Sequence, residues 1–336
     1  MGKITMRALA KICGVSPATV SLVLNNKKGV GENTRQRVLL EAERQNYELP
    51  VKKINTSKDI LLMKYCKTGV FVEENQGFIS MIINAIENQL SRDNYRMTIY
   101  AANQDLEHAL NSVDYSDYIG AIIVATEMLN DDYSLLQNIP IPFIIVDNTV
   151  PNYTYASVCM NNSENVWQAM KHCKDCGHKS IGYLGSTVPT ENFNERYAAF
   201  MGFIKTFNFD FSSEYELRVN PSMLGAYDDF LEILKHNPKV PSCYFAENDT
   251  IALGVMKALQ ESNYKIPDDI SIIGFDNIPF ASISIPALTT IHVQRNVIGR
   301  LTVCQLLQLI DDPQYQPIKC AVTGKLVIRD SVKKIL

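Results

Sequence analysis

The sequence predicts a two-part chain: a small all-α unit built around a helix-turn-helix, then an α/β body of doubly wound parallel sheet. Three observations predict it. The first fifty residues carry three short helical patterns, divided by glycine and by Ser-Pro. From Asp59 onward short apolar runs alternate with amphipathic stretches, the pattern of parallel strands covered by helices on both faces. Charge divides at the same point. Residues 1–58 hold eleven Lys/Arg against four Asp/Glu, a net of +7, so the remaining 278 must carry −11 to reach the overall −4. A basic head on an acidic body suits phosphate binding by one end.

At 336 residues and 46% hydrophobic content, two or three compact units with real cores are expected. The longest apolar runs, Gly120–Ala125 and Phe143–Val146, fall far short of the ~20 residues needed to span a bilayer. Lys3, Arg7 and Lys11 interrupt any signal-peptide core, so the expected location is the cytoplasm. The eight cysteines are therefore expected as reduced, mostly buried thiols. The cluster His172-Cys173-Lys-Asp-Cys176-Gly-His178 has metal-like spacing but no second Cys-x-x-Cys pair. It reads as a helix end stopped by Gly177, and no metal or cofactor is expected.

In the head, Thr5 can N-cap a first helix whose apolar positions are Met6, Leu9, Ala10 and Cys13. Gly14-Val15 makes a short turn. Ser16-Pro17 restarts the chain, because serine accepts orphan amides and proline fills the first helical position at no cost. The second helix, Pro17 to about Asn25, points Val20, Val23 and Leu24 inward and Pro17, Ala18, Ser21 and Leu22 outward. A third helix is expected to open at Asn33-Thr-Arg-Gln36 and run to about Gln45, with Val38, Leu39 and Ala42 inward. Lys27, Lys28, Arg35 and Arg37 flank the second helix. In a helix-turn-helix that helix enters the major groove and its N-terminal residues meet base edges.

The stretch from Ile4-Thr5 through Gly14-Val15-Ser16-Pro-Ala-Thr19-Val20-Ser21 to Asn25, continued by Glu32-Asn-Thr34-Arg35-Gln-Arg37-Val38 and Asn46-Tyr47, resembles the headpiece of the LacI/GalR family. The resemblance implies that Ser16, Thr19, Ser21, Asn25 and Thr34 touch the sugar-phosphate backbone or set register. Thr5 and Arg7, at the start of the first helix, join that set. It implies that Pro17, Ala18 and Leu22 choose the bases. Leu22 stands where the family commonly has arginine, and it offers only apolar contact, such as to a thymine methyl. Ala8 replaces the family's usual acid. The family's hinge segment is rich in Ala, Arg and Leu and wedges a leucine into the minor groove. Here Val51-Lys-Lys-Ile54-Asn-Thr-Ser-Lys58 is shorter and lacks that pattern, with Ile54 the only evident wedge.

In the body, strand-like runs are Ile60–Tyr65, Met97–Ala101, Ala121–Ala125, Phe143–Val146, Ile181–Leu184, Cys243–Ala246 and Ile270–Gly274. Helix-like stretches include Ile79–Leu90, Asn165–Cys173, Tyr197–Thr206 and Ile251–Gln260. Ligands in such folds bind beyond the carboxyl ends of strands. This region resembles the periplasmic-binding-protein-like (type I) sensor of the same family. The blocks that carry the likeness are Ala246-Glu-Asn248-Asp249 to Gly254, Ile266-Pro-Asp-Asp-Ile270 to Asp276-Asn, Pro286-Ala-Leu288 to Ile291, Gly177–Gly185 and Asn192–Arg196. The implied division is a headpiece at 1–50, a linker at 51–58 and a sensor at 59–336. The N-lobe would comprise about 59–157 and 291–321, the C-lobe about 158–290 and 322–336, with crossings near 158, 290 and 322. A ligand cleft lies between the lobes, and the sensor is a homodimer. The Ile79–Leu90 helix is the expected interface, with Met81, Ile82, Ala85 and Ile86 turned to the partner.

Within that cleft Arg196 resembles the family's ligand arginine, a planar fork suited to paired sugar hydroxyls or a carboxylate. It is expected on a strand-to-helix connection, keeping solvent access in the open state. Asp276 resembles the acceptor of hydroxyl protons, and Asn248 and Asp147 match further polar ligand positions. Asn161, Thr126 and Phe78 complete the set, Phe78 as an apolar wall beneath a sugar face. Asp249 reads instead as a helix cap. These side chains suit a sugar or related polyol, with a nucleobase as the alternative. No Gly-x-Gly-x-x-Gly, Walker loop or Gly-x-Ser-x-Gly appears, so an enzyme on this fold is not supported. A secreted binding protein does not fit a chain that begins with a DNA-binding head. The expected function is a transcription regulator, a repressor, that binds near-palindromic operator DNA as a dimer under small-molecule control.

Overall fold

The computed structural model describes residues 5–24, 29–45, 47, 58–72, 77–103 and 105–335. Asn25, Lys27, Lys28, Asn46 and the linker residues 51–57, Ile54 among them, lie outside these. The chain divides into two compact units, 1–56 and 57–336.

Among the described residues the first unit is three helices. Thr5 Oγ1 accepts from the Ala8 amide at 3.3 Å and so caps α1 (Met6–Cys13), which ends where Gly14 turns left-handed at φ 62°. Ser16 Oγ accepts from the Thr19 amide at 3.1 Å and caps α2 (Pro17–Leu24). The two helices bend 101° from one another, within the range of a helix-turn-helix. A third helix, α3 (Glu32–Arg44), braces them, and Leu9, Ala10, Cys13, Val20, Val23, Val38 and Ala42 form the core. Two expectations need correction. The helix opens one residue early: Thr34 and Arg35 donate to the Gly31 carbonyl, which puts Asn33 in the first turn. Leu39 is 48% exposed. It sits about 100° around the helix from Val38, past the edge of a three-helix core.

The second unit is two lobes, each a six-stranded sheet with helices on its faces. The N-lobe begins with β1 (Asp59–Cys66), α4 (Phe78–Arg92), β2 (Arg96–Asn103), α5 (Leu106–Ser112) and β3 (Gly120–Val124). It continues through α6 (Asn130–Tyr133), β4 (Phe143–Val146) and β5 (Ser157–Met160). The C-lobe follows with α7 (Asn162–Asp175), β6 (Ile181–Ser186), α8 (Glu191–Phe207), β7 (Glu216–Val219) and α9 (Met223–Leu234). Next come β8 (Cys243–Ala246), α10 (Asp249–Glu261), β9 (Ser271–Asp276), α11 (Pro279–Ile283) and β10 (Thr289–His292). The chain then returns to the N-lobe for α12 (Arg295–Asp311) and β11 (Lys319–Val322), and ends in the C-lobe with β12 (Lys325–Val327). The N-lobe order is β11-β5-β4-β3-β1-β2, parallel throughout; the C-lobe order is β12-β10-β9-β8-β6-β7, with only β12 antiparallel.

Strands buried on both faces read as unbroken apolar runs, and every residue of β3, β5, β6, β8 and β9 is buried. The crossings fall after β5, β10 and β11, a few residues beyond the expected 158 and 290 and just past 322, because β5 and β10 each complete the sheet they started from before the chain leaves it. On α4, Ile82 and Ile86 are buried in the lobe's own core, under α12, rather than turned outward; Met81 remains exposed. Gly299 makes that helix pair close, since a Cβ there would meet Ala85 Cβ at 2.6 Å. The Cys-His cluster ends α7 as a helix stop, and His178 is tied to Ser242 and the Lys333 carbonyl. No group of His, Cys, Asp and Glu suited to a metal ion occurs among the described residues. No single helix among them is long and apolar enough to cross a membrane.

Candidate functional site

The carboxyl ends of both sheets face each other across the lobe boundary, and a cavity lies between them. Its lining is Phe71, Phe78, Thr126, Asp147, Met160, Thr190, Asn192, Phe193, Arg196 and Asp276. The lobes are closed on it, to a volume of about 20 Å³, the room of a single water molecule. Asn192 Nδ2 reaches across to the Asp147 carbonyl at 2.9 Å, and Thr149 Oγ1 to Glu195 Oε1 at 2.6 Å.

Arg196 is the centre of the C-lobe side. It lies inside α8 rather than on a connection before it, and it is 3% exposed. Its Nε donates to Asn162 Oδ1 at 2.9 Å and its Nη1 to the Glu247 carbonyl at 2.6 Å. Nη2 lies 2.8 Å from Met160 Sδ and 3.8 Å from Asp276 Oδ1. The guanidinium is stacked 3.8 Å from the Phe275 ring centroid. Protein groups hold this fork in place.

Asp147 follows β4 and Asp276 ends β9, and both turn the chain at positive φ, 66° and 113°. Such backbone costs of order 1–3 kcal/mol per residue and persists where the surroundings over-determine it. The surroundings do so here. Thr126 Oγ1 donates to Asp147 Oδ2 at 2.7 Å, and Arg295 Nη1 donates to the Asp276 carbonyl at 2.7 Å. Burial pushes Asp147 up to about 7, against the pull of the Thr126 hydrogen bond and of Arg196. Its Oδ1 has no hydrogen-bond partner among the described residues, so an acceptor faces the cavity. Burial also pushes Glu247, beneath Arg196, up to about 7.

Thus Phe78, Thr126, Asp147, Arg196 and Asp276, expected at the cleft, do converge on one cavity. Asn161 and Asn248 do not line it: they cap α7 and α10, accepting from the Glu164 and Ile251 amides at 3.1 and 2.9 Å. Their neighbours take other roles. Asn162 orients Arg196, and Asp249, not itself the cap, holds the Ile278 amide at 2.9 Å and the Thr290 hydroxyl at 2.6 Å. Gly274 leaves room for that carboxylate, since a Cβ would meet Asp249 Oδ1 at 2.2 Å. Phe71, Met160, Thr190, Asn192 and Phe193 are lining residues that sequence reasoning missed. For two of them a signal existed: Asn192 and Phe193 precede Arg196 by four and three positions, one face of one helix.

On the head, Pro17 and Ala18 are exposed at the start of α2, while Thr19, Ser21 and Leu22 are half-buried along it. Ser16 and Thr19 hydroxyls share a hydrogen bond at 2.9 Å. Arg7 is exposed on α1, and Thr34 half-buried at the start of α3.

Comparison with known proteins bears on both units. Residues 5–48 match the family described as bacterial regulatory proteins, lacI family, and residues 170–332 match the periplasmic binding protein-like domain. The HTH-type transcriptional repressor PurR of Mannheimia succiniciproducens is 30% identical over 98% of this chain and 99% of its own length. The chain belongs to the LacI family. A probable HTH-type transcriptional repressor ExuR of Bacillus subtilis is 25% identical over 99% of each chain. Among solved LacI-family structures, the lac repressor dimer bound to operator and the anti-inducer ONPF superposes with a TM-score of 0.73 at 21% identity, over 99% of this chain and 100% of that one. A LacI-family regulator of Enterococcus faecium with bound ribose gives 0.69 at 22%, over 82% and 100%. These likenesses establish the fold: a LacI-type headpiece joined to a two-lobed sensor. The chain is a regulatory protein and not an enzyme.

Proposed function

We propose that the chain is a transcriptional repressor that binds a two-fold related operator as a homodimer and is controlled by a sugar or related polyol held between its lobes. The observation that carries the effector reading is the Arg196 guanidinium lining one cavity with the carboxyl groups of Asp147 and Asp276, with Phe71, Phe78 and Phe193 completing the walls. Vicinal hydroxyls donate to the carboxylates and accept from the guanidinium, and the apolar face of a sugar ring packs on the aromatic rings. At about 20 Å³ the cavity is too small for a sugar, so ligand entry requires the lobes to part, and the effector acts by favouring one lobe arrangement over another.

On the head, Pro17, Ala18 and Leu22 are the residues proposed to meet bases. Thr5, Arg7, Ser16, Thr19, Ser21, Asn25 and Thr34 are those proposed to hold the sugar-phosphate backbone. A dimer is required because one head offers few base contacts, and two-fold proteins read two-fold sites.

Thermal-shift screening of the full chain against sugars, sugar acids and nucleobases tests the effector reading. A monosaccharide or polyol that raises Tm, with the shift lost in Asp276→Asn, is expected. A nucleobase that does so while sugars do not overturns the sugar assignment. Sedimentation at operator-binding concentrations tests the dimer, and a monomer there rejects it.

A further inference from the structure

Over the cavity the lobes meet through an aromatic pair, Phe71 of the N-lobe against Phe193 of α8, with centroids 5.2 Å apart at an interplanar angle of 86°. Both rings line the cavity. Phe71 belongs to no strand or helix; it lies in the segment that leaves β1. That segment's main chain converges on one side chain. Glu127, 4% exposed, sits in the turn after β3. Its Oε2 accepts from the Thr68 amide at 2.6 Å, the Gly69 amide at 3.0 Å and the Thr68 hydroxyl at 3.1 Å. Its Oε1 accepts from the Phe71 amide at 2.9 Å and the Val72 amide at 3.3 Å.

A carboxylate this deeply buried is tolerated only when its lone pairs are filled, and here the filling comes from the segment that carries Phe71. Amides near in sequence, aimed at one anion, form a concave nest with a definite shape. Glu127 also follows Thr126, whose hydroxyl orients Asp147. One dipeptide therefore fixes both the acceptor and the aromatic wall on the N-lobe side.

We propose that Glu127 is a positioning residue of the effector site, presenting Phe71 to the effector and to Phe193. Its role in ligand recognition rests on the cavity being the effector site. The five hydrogen bonds are internal to the N-lobe and survive lobe opening, whereas the Phe71–Phe193 contact is broken by it. The aromatic wall thus travels with Asp147 as one rigid piece and closes against α8. Glutamine cannot replace this acid: its amide nitrogen would set donors against the donors of one half of the nest.

Site-resolved hydrogen exchange on the full chain tests this without any effector, so failure of the sugar assignment leaves the test intact. In E127Q the Thr68, Gly69, Phe71 and Val72 amides should exchange about tenfold faster or more, with β1 and β3 at parent rates. In F71A those four amides should stay protected, while the Phe193 amide, which donates to Thr190 Oγ1 at 3.2 Å, exchanges faster as the closed form loses its contact. Parent-like exchange of the four amides in E127Q overturns the proposal. So does faster exchange across the whole N-lobe, which would make Glu127 a general folding residue. An F71A variant with an unchanged Phe193 amide overturns the link to closure. Should E127Q fail to fold, T68V removes the hydroxyl donor to Glu127 together with the acceptor of the Val70 amide, and faster exchange confined to the Thr68–Val70 end is then the expected result; no change at the Thr68 and Gly69 amides rejects the proposal.

Discussion

In the head, the residues proposed to meet DNA lie along one short helix and the turns beside it, and their neighbours in space are their neighbours in sequence. In the sensor, the cavity is assembled from the ends of β1, β4, β5 and β9, the turn after β3 and the first turns of α4 and α8, segments up to two hundred residues apart. The head keeps its recognition groups on the outside of a core made by other residues. The sensor uses the same buried groups to recognise and to hold itself together. Function should be separable from stability in the head and inseparable from it in the cleft.

The largest expected effect is in the cleft. Arg196→Ala removes the donors to Asn162 and the Glu247 carbonyl, the stack on Phe275 and the partner of Asp276. Breaking such a buried set costs about 3–5 kcal/mol, so the variant should lose effector response and also unfold at clearly lower urea. An arginine that kept solvent access in the open state, as expected from sequence, would have cost little. Denaturation of the full chain decides between the two, and parent-like stability would dissolve the contrast.

Proton linkage sharpens the comparison next. Asp147 stands at about 7, raised by burial from an ordinary value of 3.8. Between those values the native chain keeps a proton that the unfolded chain has released, so sensor stability should fall as pH rises from about 4 to 7. Glu247, at about 7, and Asp249, raised mainly by burial to about 8, act in the same direction. Asp147→Asn removes one of these titrations and should flatten the curve of stability against pH between 5 and 7. An unchanged slope would mean that Asp147 is ionised in the closed form.

Effects in the head should be smaller. Ser16→Ala takes away the cap on the Thr19 amide and should cost about 1 kcal/mol of headpiece stability, with the sensor transition unmoved. Calorimetry that resolves the two transitions checks this. Arg7→Ala should leave folding untouched and lower the slope of log affinity against log salt for DNA by about 1. A fluorescence titration across a salt series measures it. If Arg7→Ala destabilises the head instead, recognition and stability are coupled there too.

The same division governs how much could be read beforehand. Thr5, Gly14, Ser16 and Pro17 punctuate helices by local hydrogen bonds and local dihedrals, so their roles were legible in sequence. Leu39 was misjudged because a helix face is only as wide as the partners packed against it. In the sensor, Asn161 and Asn248 stand at strand ends, and their side-chain oxygens cap the first turns of α7 and α10. Arg196, Asp147 and Asp276 were found by their resemblance to a family pattern, and nothing local announced that they would be buried. Glu216–Val219 and Lys325–Val327 are partly exposed edge strands and lack the unbroken apolar run that marks Phe143–Val146 and Cys243–Ala246.

The sequence alone determined the helix-turn-helix, the alternation of strand and helix, the division of charge and the stop after Cys176, since each follows from contacts within a few residues. Tertiary structure decided which strand ends meet, that the lobes close until Phe71 reaches Phe193, and that burial raises Asp147 to about 7. It also decided that Glu127 gathers the amides of a segment nearly sixty residues upstream. These depend on desolvation and on the convergence of distant backbone, which arise where strand ends gather within the N-lobe and where the carboxyl ends of the two sheets meet.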